Sequence, residues 1–453
     1  MTSGAPEREP IASLVSALSA APLDRLALVT VQAPPAPLEA LWADDGEAAL
    51  LWSSPGGRAL AGVGETLVVA AEGAARFARV GEAARALAGA HATRHPDAPP
   101  VRPALVGGFA FAVGGASGSE WAPFGDARFA LPRWTYERHP GGGATLTLAL
   151  GPGESRGLGT LGPELEVMLG RLESPRPGPR FPRIETHAEP FEAWSAMVGG
   201  ALAEIGAGRL RKVVLARRIE VRSAAPLPVP AMLARQCAEA EDAYRFAFRV
   251  AGRTFLGASP ELLVARRGRD LESEALAGTI SGDESGGGRL AEFVSDPKQR
   301  EEHAIVVEAI RARLAPLCET LSVPDRPEVR PLRQIAHLRT PIVGRLRGDV
   351  PLVELAASLH PTPAVGGEPS AEACSWIARH EPAPRGWYAG PVGLVEAGGD
   401  GVLAVALRGA LVHCERARVW AGAGIVAGST PGGEYEETGM KARSALAALG
   451  LGD

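Results

Sequence analysis

Short apolar runs, closed off by glycine and proline, set the main limit on what this chain can fold into. In the first 170 or so residues they are "LALVTVQ" (26–32), "ALLWSS" (49–54), "TLVVAA" (66–71), "LVGGFAFAV" (105–113) and "ATLTLAL" (144–150). Each reads as a strand, and the 56 glycines and 39 prolines of the 453 residues provide the turns between them. Helical spacing appears between the runs, as in "RVGEAARALAGAHA" (79–92). A turn-rich break, "ESPRPGPRFP" (173–182), follows.

The character changes at Glu189. "EPFEAWSAMVGGALAEIGAG" reads as a helix with Pro190 near its first turn and an apolar stripe of Trp194, Val198, Ala201 and Ile205. The strand in "GRLRKVVLARRIEV" (208–221) comes next. Val213, Leu215, Ile219 and Val221 alternate on one face, with Lys212, Val214 and Ala216 on the other. Lysine is depleted in strands and costly to bury, so Lys212 is either a strand end reaching water or a group placed in a pocket. A helix follows Asp296, its cap, with Pro297 at the first position. "GVLAVALRGALV" (401–412) and "RVWAGAGIVAG" (418–428) read as adjacent strands, and a last helix starts after "STPGG".

Composition excludes some functions. A net charge of −5, without blocks of like charge, gives no general attraction to nucleic acid or anionic membrane. No run of 18 or more apolar residues suggests a membrane span, and "MTSGAPEREP" is no secretory signal. The four cysteines are widely spaced without C-x-x-C, as expected for reduced, buried thiols in a cytoplasmic protein. The nine histidines show no zinc spacing, and the P-loop and dinucleotide fingerprints are absent.

Several polar residues sit oddly on apolar elements. Glu302 shares a helix face with Ile305, Val306, Ala309 and Ile310, where a carboxylate needs a partner, a metal or an edge reaching water. Glu434, Glu437 and Lys441 share one face of the last helix, and Glu437–Lys441 could be an ordinary solvated i, i+4 pair. Glu302 and Glu437, with Glu434 outside them, could instead hold one hard cation; an all-oxygen set with few carboxylates suits Mg²⁺. Glu261 follows Ser259–Pro260 and leads an apolar strand. "SEALAGTISG" (273–282) reads as a loop whose amides could face a ligand, and "HPTPAVGG" (360–367) as a stiff turn. Arg408, read as mid-strand, is suited to gripping a buried carboxylate.

Taken in order, "KVVLAR", "GASPELL", "EALAGT", "K-x-x-x-EH", "HPTPAV", "RGWYAGPVG", "LRGA" and "AGAGIV…E-Y-x-E-x-x-x-K" resemble the chorismate-utilising enzymes over about residues 190–445, and weakly before that. The resemblance implies an α+β fold of the anthranilate synthase component I type: one layered sandwich of mainly antiparallel sheets with outer helices. Residues 1–180 would form its N-terminal half and 185–453 its catalytic half, in one compact unit. It further implies chorismate as substrate, Mg²⁺ as cofactor, and a monomer. The site would hold Lys212 and Glu261 as catalytic groups and Glu302, Glu437 and Glu434 around the metal. Gly278, Thr279, His360, Ala364, Tyr388, Arg408, Gly422, Gly424 and Lys441 would contact substrate.

Branches of the family that install nitrogen (anthranilate, aminodeoxychorismate) typically lack a lysine at the Lys212 position; those that add water have it. This points to isochorismate formation, feeding menaquinone or siderophore synthesis, with no glutaminase partner. Salicylate synthase is the next alternative. Its members tend to carry threonine at the Ala364 position of "HPTPAV", and alanine resembles the isochorismate branch. A catalytically silent chorismate-binding protein is a third. Gln299 departs from the family pattern, in which this position is often acidic, and so weakens any four-carboxylate metal site.

Overall fold

The computed structural model describes residues 24–43, 46–94, 98–100, 102–116, 120–154, 158–174, 181–281, 288–332 and 335–451. Most of the turn-rich break at 173–182 and the first residues of the chain lie outside these. The fold is α+β: a large, mainly antiparallel sheet system with flanking helices. The N-terminal runs form strands close to their expected places, at Ala27–Ala33, Ala49–Ser53, Ala59–Ala71, Ala104–Phe109 and Ala144–Leu150. Two of them hydrogen bond to strands from the second half of the chain. Ala49–Ser53 pairs with Tyr244–Val250, and Ala104–Phe109 pairs with Pro391–Glu396, both antiparallel.

Alternation along the strands explains the layering. Successive side chains point to opposite faces, so an apolar residue at every position fills two cores rather than one. Leu50 and Trp52 enter one core while Leu51 enters the other. Phe246 and Phe248 flank Ala247 in the same way, and Trp420 enters the first core while Val419 and Ala421 enter the second. Helices cover the outside. Among the described residues no helix is long and apolar enough to cross a membrane. The four cysteines are free; Cys318 is buried, but Cys414 is exposed, contrary to the expectation of buried thiols.

Two helices bring carboxylates to the centre. In Pro297–Leu314 the Asp296 side chain accepts the Gln299 N–H at 2.9 Å, the expected cap. Pro431–Ala448 is capped by Thr430, which accepts from the Gly433 N–H at 3.3 Å. Its start is pinned by the fully buried Trp194, whose indole N–H donates to the Pro431 carbonyl at 3.2 Å.

The strand Lys212–Ser223 runs beside Arg416–Ile425, with Val214 opposite Gly424 and Ala216 opposite Gly422. Paired residues share a face, so Lys212, Val214, Gly422 and Gly424 all point the same way. The glycines leave that face bare. A Cβ on Gly424 would lie 2.2 Å from Glu302 Oε1 and 2.8 Å from Lys212 Cε. The space a side chain would fill is taken by a lysine–glutamate contact. Gly424→Ala is therefore expected to force that contact apart and to cost about 1–3 kcal/mol, measurable by denaturant unfolding. Unchanged stability would show that the contact is not packed against this strand.

Candidate active site

Beneath this bare face lies a cavity of about 620 Å³, counting its open mouth. Ten of the residues expected at the site line it: Glu261, Gly278, Thr279, Glu302, Ala364, Tyr388, Arg408, Gly422, Gly424 and Lys441. Lys212, Glu434 and Glu437 are not among the lining residues; Lys212 meets the cavity wall through Glu302. The lysine is 1% exposed, and its Nζ lies 3.0 Å from Glu302 Oε1. The strand-end lysine in water is thus excluded, and so is the glutamate reaching solvent.

The other two carboxylates are also held by lysines. Lys298 Nζ meets Glu434 Oε1 at 2.6 Å, and Lys441 Nζ meets Glu437 Oε1 at 2.6 Å. The Glu437–Lys441 pair is the expected i, i+4 pair, but it is largely buried, and Lys441 also donates to the Gly422 carbonyl at 3.0 Å. Burial works upward on Glu437, yet Lys441 and Lys298 bring it below the usual carboxylate range. Glu434 moves the other way: burial, then the Glu437 charge, raise it against Lys298. The charges of Glu434, Glu437 and Glu302 all act on the Lys298 ammonium, so the three carboxylates surround one region. Among the described residues no three His, Cys, Asp or Glu side chains form a ready-made metal cluster. The donor set nevertheless fits Mg²⁺. It is all oxygen, on a small number of buried carboxylates, and a cation with much of its shell from water and substrate suits it. Gln299 is tied instead to the cavity wall, where its Oε1 accepts the Thr279 N–H at 3.3 Å.

Glu261 is buried just ahead of the strand Leu262–Arg267. Burial and the neighbouring Glu274 charge push its carboxyl up to about 8, against the pull of Lys212, Lys441 and Arg408. Glu274 is held by Arg330 at 3.1 Å, by Arg339 at 2.5 Å and by the Leu262 N–H at 2.8 Å. At neutral pH Glu261 is a carboxylic acid that faces a cavity carrying cations.

Arg408 is not mid-strand. The run 401–412 breaks into Gly401–Val405 and Gly409–His413, and Arg408 occupies the bend between them with φ 51°. A non-glycine residue in the left-handed region is strained, and the bend turns the guanidinium into the cavity. Burial lowers it to about 10, still fully charged. It donates to His337 Nε2 at 3.2 Å; His337 Nδ1 is bonded to the Gly278 carbonyl at 2.7 Å, so Nε2 is the free acceptor. Burial and the Arg408 charge keep His337 well below its ordinary value, hence neutral. Tyr388 stacks on Trp420 with ring centroids 5.8 Å apart, and burial raises its hydroxyl to about 12.

"SEALAGTISG" is also not a loop. It belongs to the strand Asp270–Ser281, whose register against Ile335–Leu346 shifts between Ala277 and Ile280. The irregularity puts Gly278 and Thr279 at the cavity wall, with Gly278 at φ 76°. His360 does not line the cavity. Its Nε2 donates to the Phe111 carbonyl at 2.9 Å, and burial lowers it to about 3, the state of a neutral core histidine. His337, Glu274, Lys298 and Trp420 were given no role from sequence, although Glu274 opens "EALAGT" and Lys298 opens "K-x-x-x-EH". "IAHLRT" and "SEAL" carried a signal, a polar side chain within an apolar strand, but neither shows which partner it meets.

The model of the chorismate binding enzymes matches residues 15–450. The salicylate biosynthesis isochorismate synthase of Pseudomonas aeruginosa is 36% identical over 94% of this chain and 92% of its own length. Isochorismate synthase MenF of Bacillus subtilis is 34% identical over 77% of this chain and 75% of its own. Among solved structures, the menaquinone-specific isochorismate synthase MenF of Escherichia coli superposes with a TM-score of 0.77 at 28% identity, covering 96% of this chain and all of that one. Sequence, fold and cavity agree: the chain belongs to the chorismate-binding enzyme family and is closely related to its isochorismate synthases.

Proposed function

We propose that the protein is an isochorismate synthase, an isomerase that adds water at C2 of chorismate and expels the C4 hydroxyl. The observation that carries this reading is a buried lysine at the same cavity as a protonated glutamic acid. Lys212 Nζ is shielded against Glu302, which lines the cavity, and Glu261 is held as an acid by burial and Glu274.

Lys212, as the free amine, takes a proton from the water attacking C2, which requires its bridge to Glu302 to open when substrate binds. Glu261 gives its proton to the departing C4 hydroxyl, which leaves as water while the double bond shifts. One water enters and one leaves, so the product is an isomer. Proton transfer by positioned groups of this kind is worth about 10²–10⁴-fold each. Arg408, steadied by neutral His337, and the Tyr388 hydroxyl receive the enolpyruvyl carboxylate. Glu302, Glu437 and Glu434 would hold Mg²⁺, whose charge offsets that of the ring carboxylate when it is bound. Water as nucleophile needs no ammonia-supplying partner. Salicylate formation would require a further elimination of pyruvate; Ala364 at the cavity wall favours stopping at isochorismate.

Purified protein with chorismate and Mg²⁺ is expected to yield isochorismate without pyruvate. Stoichiometric pyruvate with salicylate would move the assignment to the lyase, and an aminated product with ammonium would move it to the amine branch. Lys212→Ala is expected to lower turnover by about 10²–10⁴-fold while circular dichroism stays native; near-wild-type turnover would remove the base. The pH dependence has a definite sign. Glu261 is active while protonated, so kcat/KM should fall as pH rises through about 8, by about tenfold for each further unit. That descending limb should be missing from the residual activity of Glu261→Gln.

A further inference from the structure

The buried pair Arg385–Glu381 touches neither the cavity nor solvent, yet it bonds to both sides of the cavity at once. Arg385 Nη2 donates to the Val214 carbonyl at 2.8 Å, and Nη1 donates to the Val365 carbonyl at 2.7 Å. Val214 lies on the Lys212 strand, and Val365 follows Ala364 in the "HPTPAV" turn; both line the cavity. Glu381 Oε2 accepts from Arg385 Nε at 2.8 Å, and Oε1 accepts from Nη2 at 2.5 Å. The same Oε1 accepts the Ala216 N–H at 2.9 Å, gripping the strand a second time.

The guanidinium lies 4.4 Å from the centre of the Phe111 ring. Phe111 comes from the N-terminal half. Its N–H donates to the Gly386 carbonyl at 2.8 Å, and its carbonyl receives His360, which opens the turn. The end of the turn pairs directly with the strand: Gly367 and Glu368 lie opposite Val213 and Lys212, the Val214 N–H donates to the Gly366 carbonyl at 2.8 Å, and the Arg211 N–H donates to the Glu368 carbonyl at 2.7 Å. Past Gly366, towards Ala364, it is Arg385 that bonds the two walls, through Val214 and Val365. A planar fork with five fixed donors can hold two carbonyls and a carboxylate together; a lysine cannot.

We propose that Arg385 and Glu381 form a positioning clamp that sets the distance between the Lys212 strand and the Ala364 turn, and thereby the fit of the chorismate ring between them. Neither residue contacts substrate. The clamp acts through Val214 and Val365, and an error of about 1 Å in such a wall costs up to about a hundredfold in rate. His360 and Phe111 support it from behind, which gives the histidine of "HPTPAV" a purpose outside the cavity. The proposal rests on the isochorismate synthase reading for its substrate, not for its geometry.

The test pairs Arg385→Met with Glu381→Leu. This removes both charges at similar volume, a change that buried ion pairs often tolerate. The double variant is expected to keep its circular dichroism, to raise KM for chorismate by roughly tenfold or more, and to lower kcat by less. Glu381→Gln, which keeps the shape and can still accept the Ala216 N–H, should fall between it and wild type. Hydrogen exchange supplies a readout independent of turnover, with faster exchange expected at the Val214 and Gly366 amides in the double variant. Wild-type KM, kcat and exchange in a natively folded double variant would overturn the clamp. If that variant fails to fold, wild-type KM and exchange in Glu381→Gln would overturn it. A wild-type protein that makes no isochorismate overturns the functional reading instead, and the exchange measurement then decides the clamp alone.

Discussion

A single contact, Lys212 Nζ to Glu302 Oε1 at 3.0 Å, organises the candidate site. Taking a lysine and a glutamate out of water costs several kcal/mol per ion unless they meet in good geometry. Several features of the fold serve that meeting. Gly424 vacates the space for it, and antiparallel register puts Gly424 across from Val214, two residues along from Lys212. The Asp296 cap starts the helix that carries Glu302. The lysine alone is not a mechanism. It becomes one because the strand that buries it also walls the cavity through Val214.

Around that contact, environment rather than residue type sorts the glutamates. Glu261 and Glu437 serve the same site and move in opposite directions. Glu261 has burial and a like charge at Glu274, and stays protonated near neutrality. Glu437 has Lys441 at 2.6 Å and Lys298 near it, and stays ionised. One carboxyl is left able to give a proton and the other able to attract a cation, which is the separation an acid and a metal ligand need. Arg330 and Arg339 contribute from further out by holding the Glu274 carboxylate in place.

Much of this was legible in the chain. Period-two alternation placed Lys212 on the face of Val214 and Ala216, and that face is the cavity wall. The cap at Asp296 and the shared helix face of Glu434 and Glu437 were local signals, and local signals survive folding. The misreadings came from long-range geometry. Arg408 sits in an apolar run that looks continuous, and a non-glycine residue with positive φ leaves no mark in sequence. "SEALAGTISG" has the small residues of a loop, yet pairing with Ile335–Leu346 makes its residues up to Ser281 a strand. His337, Glu274 and the Arg385–Glu381 pair matter only because distant strands and turns bring their partners to them. His360 was expected at the substrate and instead holds the Phe111 carbonyl, a role no spacing rule could reveal.

The account stands on water being the nucleophile, activated beside Lys212, rather than ammonia or an internal transfer of the C4 hydroxyl. Turnover of chorismate in ¹⁸O-labelled water tests this directly. The account predicts isochorismate carrying one ¹⁸O atom, in the new C2 hydroxyl, with the released C4 oxygen lost to solvent. Unlabelled isochorismate, in which the original hydroxyl has migrated, would contradict it.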